Sequence, residues 1–194
     1  MRVWAVAGQG PSSLGGIWRP LAWMPAIDVI RDRLAAEAQA GPLTVRTTLE
    51  AGFPLMAAAA CLIGRDAGLP LKLEVVVPFP LPDTVEEPRA VHEWAQRALA
   101  RADARQTLFA RPPRSRPEVA AVRQETERTL LGGAELVLAC WNGRPGNRTW
   151  AMLQTAHVRG LPVSNLFPQI AAALGLEAPP AAGHAVRDDV AETG

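Results

Sequence analysis

Leu136-Val137-Leu138-Ala139-Cys140-Trp141-Asn142-Gly143-Arg144-Pro145-Gly146-Asn147-Arg148-Thr149-Trp150 is the stretch that decides the fold. Residues 135–140 end in an unbroken apolar run, the pattern of a strand buried on both faces rather than one alternating between core and water. Gly143, Pro145 and Gly146 then punctuate the chain. Asn147 suits an N-cap, and the spacing predicts a helix from about residue 147 to 159 with Gly160 as its stop. A buried strand passing through a glycine loop into a helix is the repeating half-unit of a parallel α/β sheet.

The same half-unit recurs on either side. Residues 3–7 form an apolar run that enters the glycine-rich loop 8–16. A helix over 25–40 follows, with Pro25 in its first turn and Ile27, Ile30, Leu34 and Ala38 on one face, closed by Gly41-Pro42. Residues 43–48 read as a strand, Gly52 as a turn, and 54–67 as a small-residued, nearly uncharged helix that packs closely on a sheet. Residues 71–77 give the strongest strand signal, which Pro78 stops. Pro88 opens a helix carrying Val91, Trp94, Ala95, Ala98 and Leu99, and 107–110 is predicted as a short strand. Ser115-Arg116-Pro117-Glu118 matches a capping box before a helix with Val119, Val122 and Leu130, closed by Gly132-Gly133. A strand over 161–167 and a short helix over 168–174 complete the pattern. The expectation is one α/β domain over residues 1–176, a doubly wound, mainly parallel sheet flanked by helices. Residues 177–194 lose the apolar period and read as a disordered tail.

Composition narrows the function. The 194 residues carry 20 Lys+Arg against 19 Asp+Glu, a net charge of +1, which argues against a protein that coats nucleic acid. No apolar run reaches the ~20 residues needed to cross a bilayer, and the start lacks a secretory pattern, so a cytoplasmic location and no membrane partner are expected. Cys61 and Cys140 both sit in apolar stretches and read as reduced, buried thiols rather than a disulfide. His92, His157 and His184 are scattered, without metal-ligand spacing, so no metal site is expected. No Gly-x-Ser-x-Gly elbow is present for a serine hydrolase, and no lysine stands near a glycine loop for a Walker-type phosphate site.

In a doubly wound sheet, ligands bind beyond the carboxyl ends of the strands, where the strand order reverses. Five loops follow strands directly: 8–16, 50–52, 78–82, 111–115 and 141–149. The first offers Gly8, Gln9 and Gly10 with the hydroxyls of Ser12 and Ser13, though not the full spacing of a dinucleotide fingerprint. The second offers Gly52 and the carboxylate of Glu50. Pro78 and Arg111 stand in the third and fourth. The last is the richest: Asn142, Gly143, Gly146, Asn147, Arg148 and Thr149 bring backbone N–H groups, a positive helix end and charged donors together, as a phosphate requires. Trp141 and Trp150 flank it, and either is placed to stack on a base or to pack in the core.

These residues carry a resemblance. Val3-Trp4-Ala5-Val6-Ala7-Gly8, the helix start over 52–60, Val75-Val76-Val77-Pro78-Phe79 and residues 136–149 occur in the order found in the YpsA-like branch of the Smf/DprA–LOG (SLOG) superfamily, over about residues 1–167. The resemblance implies a Rossmann-like fold and a nucleotide or nucleotide-derived ligand. One branch, the "lonely guy" enzymes, hydrolyses the N-glycosidic bond of nucleoside monophosphates. The motifs also differ. Gly8-Gln9-Gly10-Pro11 stands where the family has Gly-His-Arg-Pro, Trp141-Asn142-Gly143 replaces Trp-Asp-Gly, and Met152 stands near the position of the hydrolases' Glu. An oxocarbenium-like state needs a carboxylate that Met cannot supply, which leaves Glu50 as the one candidate catalytic residue.

The leading expectation is therefore binding or sensing of a nucleotide-like small molecule, with no required cofactor. A nucleoside-monophosphate N-glycosidase and a non-binding interaction scaffold are the alternatives. Trp18, Trp23 and Trp94 with Leu21, Val91 and Leu99 add more apolar surface than one helix face needs, which predicts a homodimer or larger.

Overall fold

Ala5 and Ala7 face one side of the first strand, β1 (Arg2–Gly8), while Trp4 and Val6 face the other, and helices cover both sides. The computed structural model describes residues 2–80 and 88–176. The expected tail over 177–194 lies outside the described residues, as do Leu81 and Pro82 of the third loop. Helices α1 (Met24–Ala38), α2 (Phe53–Asp66) and α3 (Arg89–Arg101) alternate with strands β2 (Leu43–Thr47), β3 (Leu71–Val77) and β4 (Ala104–Thr107). Then come α4 (Arg116–Leu131), β5 (Leu136–Cys140), α5 (Arg148–Val158), β6 (Val163–Asn165) and α6 (Phe167–Ala173).

The six strands form one sheet in the order β4-β3-β2-β1-β5-β6, and each pairing is parallel. This is the Rossmann-like, doubly wound α/β architecture. Its topology follows from right-handed crossovers: the chain winds outward from β1 to β4 over one face, then returns to β5 and winds the other way over the opposite face. On the first face, Trp4, Val6, Val45, Leu73 and Val75 pack under Ile27, Ile30 and Leu34 of α1, the apolar side of α2, and Ile170 of α6. On the second face, Ala5, Ala7, Val137 and Ala139 meet Leu130 and Leu131 of α4 and Met152, Leu153 and Ala156 of α5.

Two sequence expectations require correction. The fourth strand is Ala104–Thr107, not 107–110. It is an edge strand with every residue exposed, so it needs no apolar run, whereas Leu108 follows it and packs against the second cluster. The sixth strand is only Val163–Asn165, because Leu166 has already turned into the α6 start. The second face is also not wholly apolar. Exposed Lys72 on β3 shares that side of the sheet with Glu74, and Arg46 on β2 pairs with Glu74 at 2.9 Å. Arg46 also donates to the carbonyls of Thr129 at 3.2 Å, Leu130 and Gly132, where α4 ends. A cation there meets the negative end of the helix and fills acceptors that the last turn leaves open.

The tryptophans behind the assembly expectation are largely consumed within the chain. Trp23 and Val91 are buried, the Trp23 indole N–H donates to the Ile17 carbonyl at 3.0 Å, and Trp23 meets Trp94 edge-on at 6.4 Å. Leu21, 78% exposed, is the large apolar side chain of that group left in solvent.

Candidate functional site

Strand order reverses between β1 and β5, so the crevice of this sheet opens at their carboxyl ends, at Gly8 and Cys140. Gln9 ties three loops together there. Its backbone N–H donates to the Cys140 carbonyl at 3.3 Å, its carbonyl accepts from Phe53 N–H at 3.1 Å, and its Nε2 donates to Asn142 Oδ1 at 2.6 Å. The side chain is buried, and its Oε1 has no hydrogen-bond partner among the described residues.

The glycines explain how the loops approach so closely. Gly52 sits at φ +99°, and a Cβ there would stand 2.5 Å from the Gln9 carbonyl oxygen and 2.8 Å from Gly10 Cα. A side chain on Gly8 would fall inside that of Phe53. Gly52 is thus required by backbone approach at the crevice, and Gly8 by the Phe53 side chain packed against it.

A small cleft lies in this crevice. Its deep wall is Val6, Ala7, Leu130 and Met152, with the hydroxyl-bearing Thr48 and Thr149, all buried. Glu50 and Arg148 are the solvent-facing part of its lining, each side chain 45% exposed, and they form an ion pair across it. The pair joins the loop after β2 to the first residue of α5. Its members are 98 positions apart in sequence. The cleft is shallow and partly open to solvent, with about 30 Å³ accessible to water.

The N-terminus of α5 is built as its sequence predicts. Asn147 Oδ1 accepts from Trp150 N–H at 2.8 Å, and its Nδ2 donates to the Arg144 carbonyl at 3.2 Å. The N–H groups of Arg148 and Thr149 have no acceptor within the helix, as in any first turn. Trp141 and Trp150 stack on one another at 5.0 Å and 24°, and the Trp141 indole N–H donates to the Arg144 carbonyl at 2.9 Å. They brace the loop from both ends, and neither is fully buried.

Among the sequence candidates, the fold brings Gly8, Glu50, Arg148 and Thr149 into the cleft lining and holds Gln9, Gly52 and Asn142 directly behind it. Gly143, Gly146 and Asn147 shape the loop that enters α5; both glycines have positive φ. Gly10 precedes a 3-10 turn on which Ser12 and Ser13 are exposed, outside the lining. Pro78 ends β3 and accepts from Phe109 N–H. Arg111 pairs with Glu118 at 3.1 Å and lines a separate groove with Phe109 and Pro113. Thr48, Pro54 and Leu130 are lining residues that the sequence reading did not select. Thr48 ends a predicted strand and could have been found from that position; Leu130 comes from a helix far away in sequence and could not.

Cys140 lies at the crevice but is no nucleophile, because burial holds its thiol protonated far above the usual range. Cys61 is likewise pushed up to about 12. Among the described residues no group of three or more His, Cys, Asp or Glu could hold a metal ion, and no helix is long and apolar enough to cross a membrane. What the site offers is one cation, one carboxylate, two buried hydroxyl residues and a helix N-terminus, grouped at the switch point of a Rossmann-like sheet. The chain matches no family model, and no curated protein is similar to it in sequence.

Proposed function

We propose that this protein binds a nucleotide or nucleotide-derived small molecule, with its phosphate at the start of α5. The observation that carries the reading is the meeting of Arg148 and Thr149 with the loops after β1 and β2 at the reversal of strand order. Helix N-termini favour anions, and a guanidinium beside them adds a charge-assisted contact. Binding is favoured over N-glycosidic cleavage because Met152, which can neither stabilise an oxocarbenium-like state nor activate water, lines the wall near the position of the resembled hydrolases' Glu. SLOG-like ancestry is part of the same proposal and rests on the order of motifs along the chain.

A thermal-shift panel of nucleotides, followed by calorimetry, tests the reading. Arg148→Ala is expected to weaken nucleotide binding by about ten- to a hundredfold, the weight of a hydrogen bond to a charged group. It should also flatten the salt dependence. Arg159→Ala, exposed beyond the far end of α5, is the control and should change neither. Equal affinity in the Arg148 variant and the parent removes this loop from the site. We also propose assembly as a homodimer or larger, supported by the apolar groove between α2 and α3 beside Trp94.

A further inference from the structure

We propose that Glu50 is a built-in competitor of the ligand: its carboxylate occupies the guanidinium that the ligand's phosphate would use, and binding requires the side chain to swing away. This rests on the nucleotide-binding reading above and adds its regulation. The parts that move and the parts that stay are distinct. Leu49 and Ala51, on either side of Glu50, are buried, and Gly52 is wedged against the loop after β1, so the backbone that carries Glu50 is fixed. The Glu50 side chain itself is half exposed and has open solvent to swing into.

The Glu50 carboxylate stands on the Arg148 guanidinium at the solvent-facing side of the cleft, beside buried Thr48 and Thr149. An anion that draws on that guanidinium therefore competes with the carboxylate for it. The exchange is easily made, because an ion pair this exposed holds its partners weakly. It is also selective. A ligand group carrying more negative charge than a carboxylate, and able to accept from the Arg148 and Thr149 backbone N–H groups as well, replaces Glu50. A neutral ligand has nothing to offer Arg148 and leaves the pair closed.

Calorimetry with AMP and with adenosine, on the parent and on Glu50→Gln, Arg148→Ala and the double variant, tests this. Expected for Glu50→Gln is a two- to fivefold gain in AMP affinity at low salt, fading as salt rises, with adenosine unaffected. The gain should shrink in the Arg148→Ala background, because the competition is for that guanidinium. AMP binding that is unchanged or weaker in Glu50→Gln overturns the competitor role and leaves the nucleotide reading standing. If AMP binds neither the parent nor Glu50→Gln, both fall together.

Discussion

Gly52 shows how much of the crevice depends on single atoms. Its φ of +99° and the crowding by the Gln9 carbonyl act on the same missing Cβ. Gly52→Ala is therefore expected to lower stability by more than about 2 kcal/mol in urea titration, combining a left-handed backbone penalty with a steric one. Gly146→Ala, where a Cβ would meet nothing within 4 Å, carries only the backbone penalty and should cost less. The sequence marks Gly52 as a turn, and the positive φ together with the crowding from the loop after β1 gives the glycine its physical reason. Pairings such as Glu50 with Arg148 or Gln9 with Asn142 were not legible at all. Each joins loops that only the strand order brings together, and a single sequence contains no signal for long-range partners.

At the scale of elements, the helices were readable because their ends carry their own chemistry. Asn147 caps α5 as expected, and Ser115 Oγ accepts from Glu118 N–H at 3.4 Å at the start of α4. The capping box is altered in one detail: the Glu118 carboxylate accepts from Arg114 N–H at 2.8 Å and pairs with Arg111. The Arg111 hydrogen bond is foremost in holding that carboxyl below the usual range. Strand β4 was misplaced for the opposite reason, since an exposed edge strand is written in polar residues and leaves no apolar mark. The far end of α4 also depends on a remote element. Arg46→Ala would leave Glu74 without its partner and open the last carbonyls of α4. A loss of about 2–3 kcal/mol is expected in chemical denaturation, with Lys72→Ala, exposed on the neighbouring strand, near zero as its control.

The whole molecule adds its thiols and its surface. Both cysteines are buried on the first face of the sheet, so neither should react with iodoacetamide at pH 8 until the fold opens, and mass spectrometry reads that directly. Their raised values also set a sign. A thiol that ionises near 9 when unfolded and near 12 when folded, as Cys61 does, contributes fully below pH 9. Stability should therefore fall as pH rises from about 9 toward 12. Assembly is the second test at this scale. Light scattering at micromolar concentration should give at least a dimer mass, and Leu21→Glu or Trp94→Ala should reduce it. A monomer in the parent overturns the assembly. The apolar surface that first suggested it has shrunk, because Trp23 serves the core of its own chain.

The stacked indoles of Trp141 and Trp150 give the protein its own optical probe. Two rings held 5.0 Å apart couple their excited states, so the far-ultraviolet circular dichroism should carry a signed pair of indole bands that Trp150→Phe abolishes. Trp150 is two residues from Arg148 on the first turn of α5, while Trp4 and Trp23 sit in the opposite cluster. Any event that resets the start of α5 will therefore change this signal before it reaches the others, and occupancy of the crevice can be followed in real time without a label.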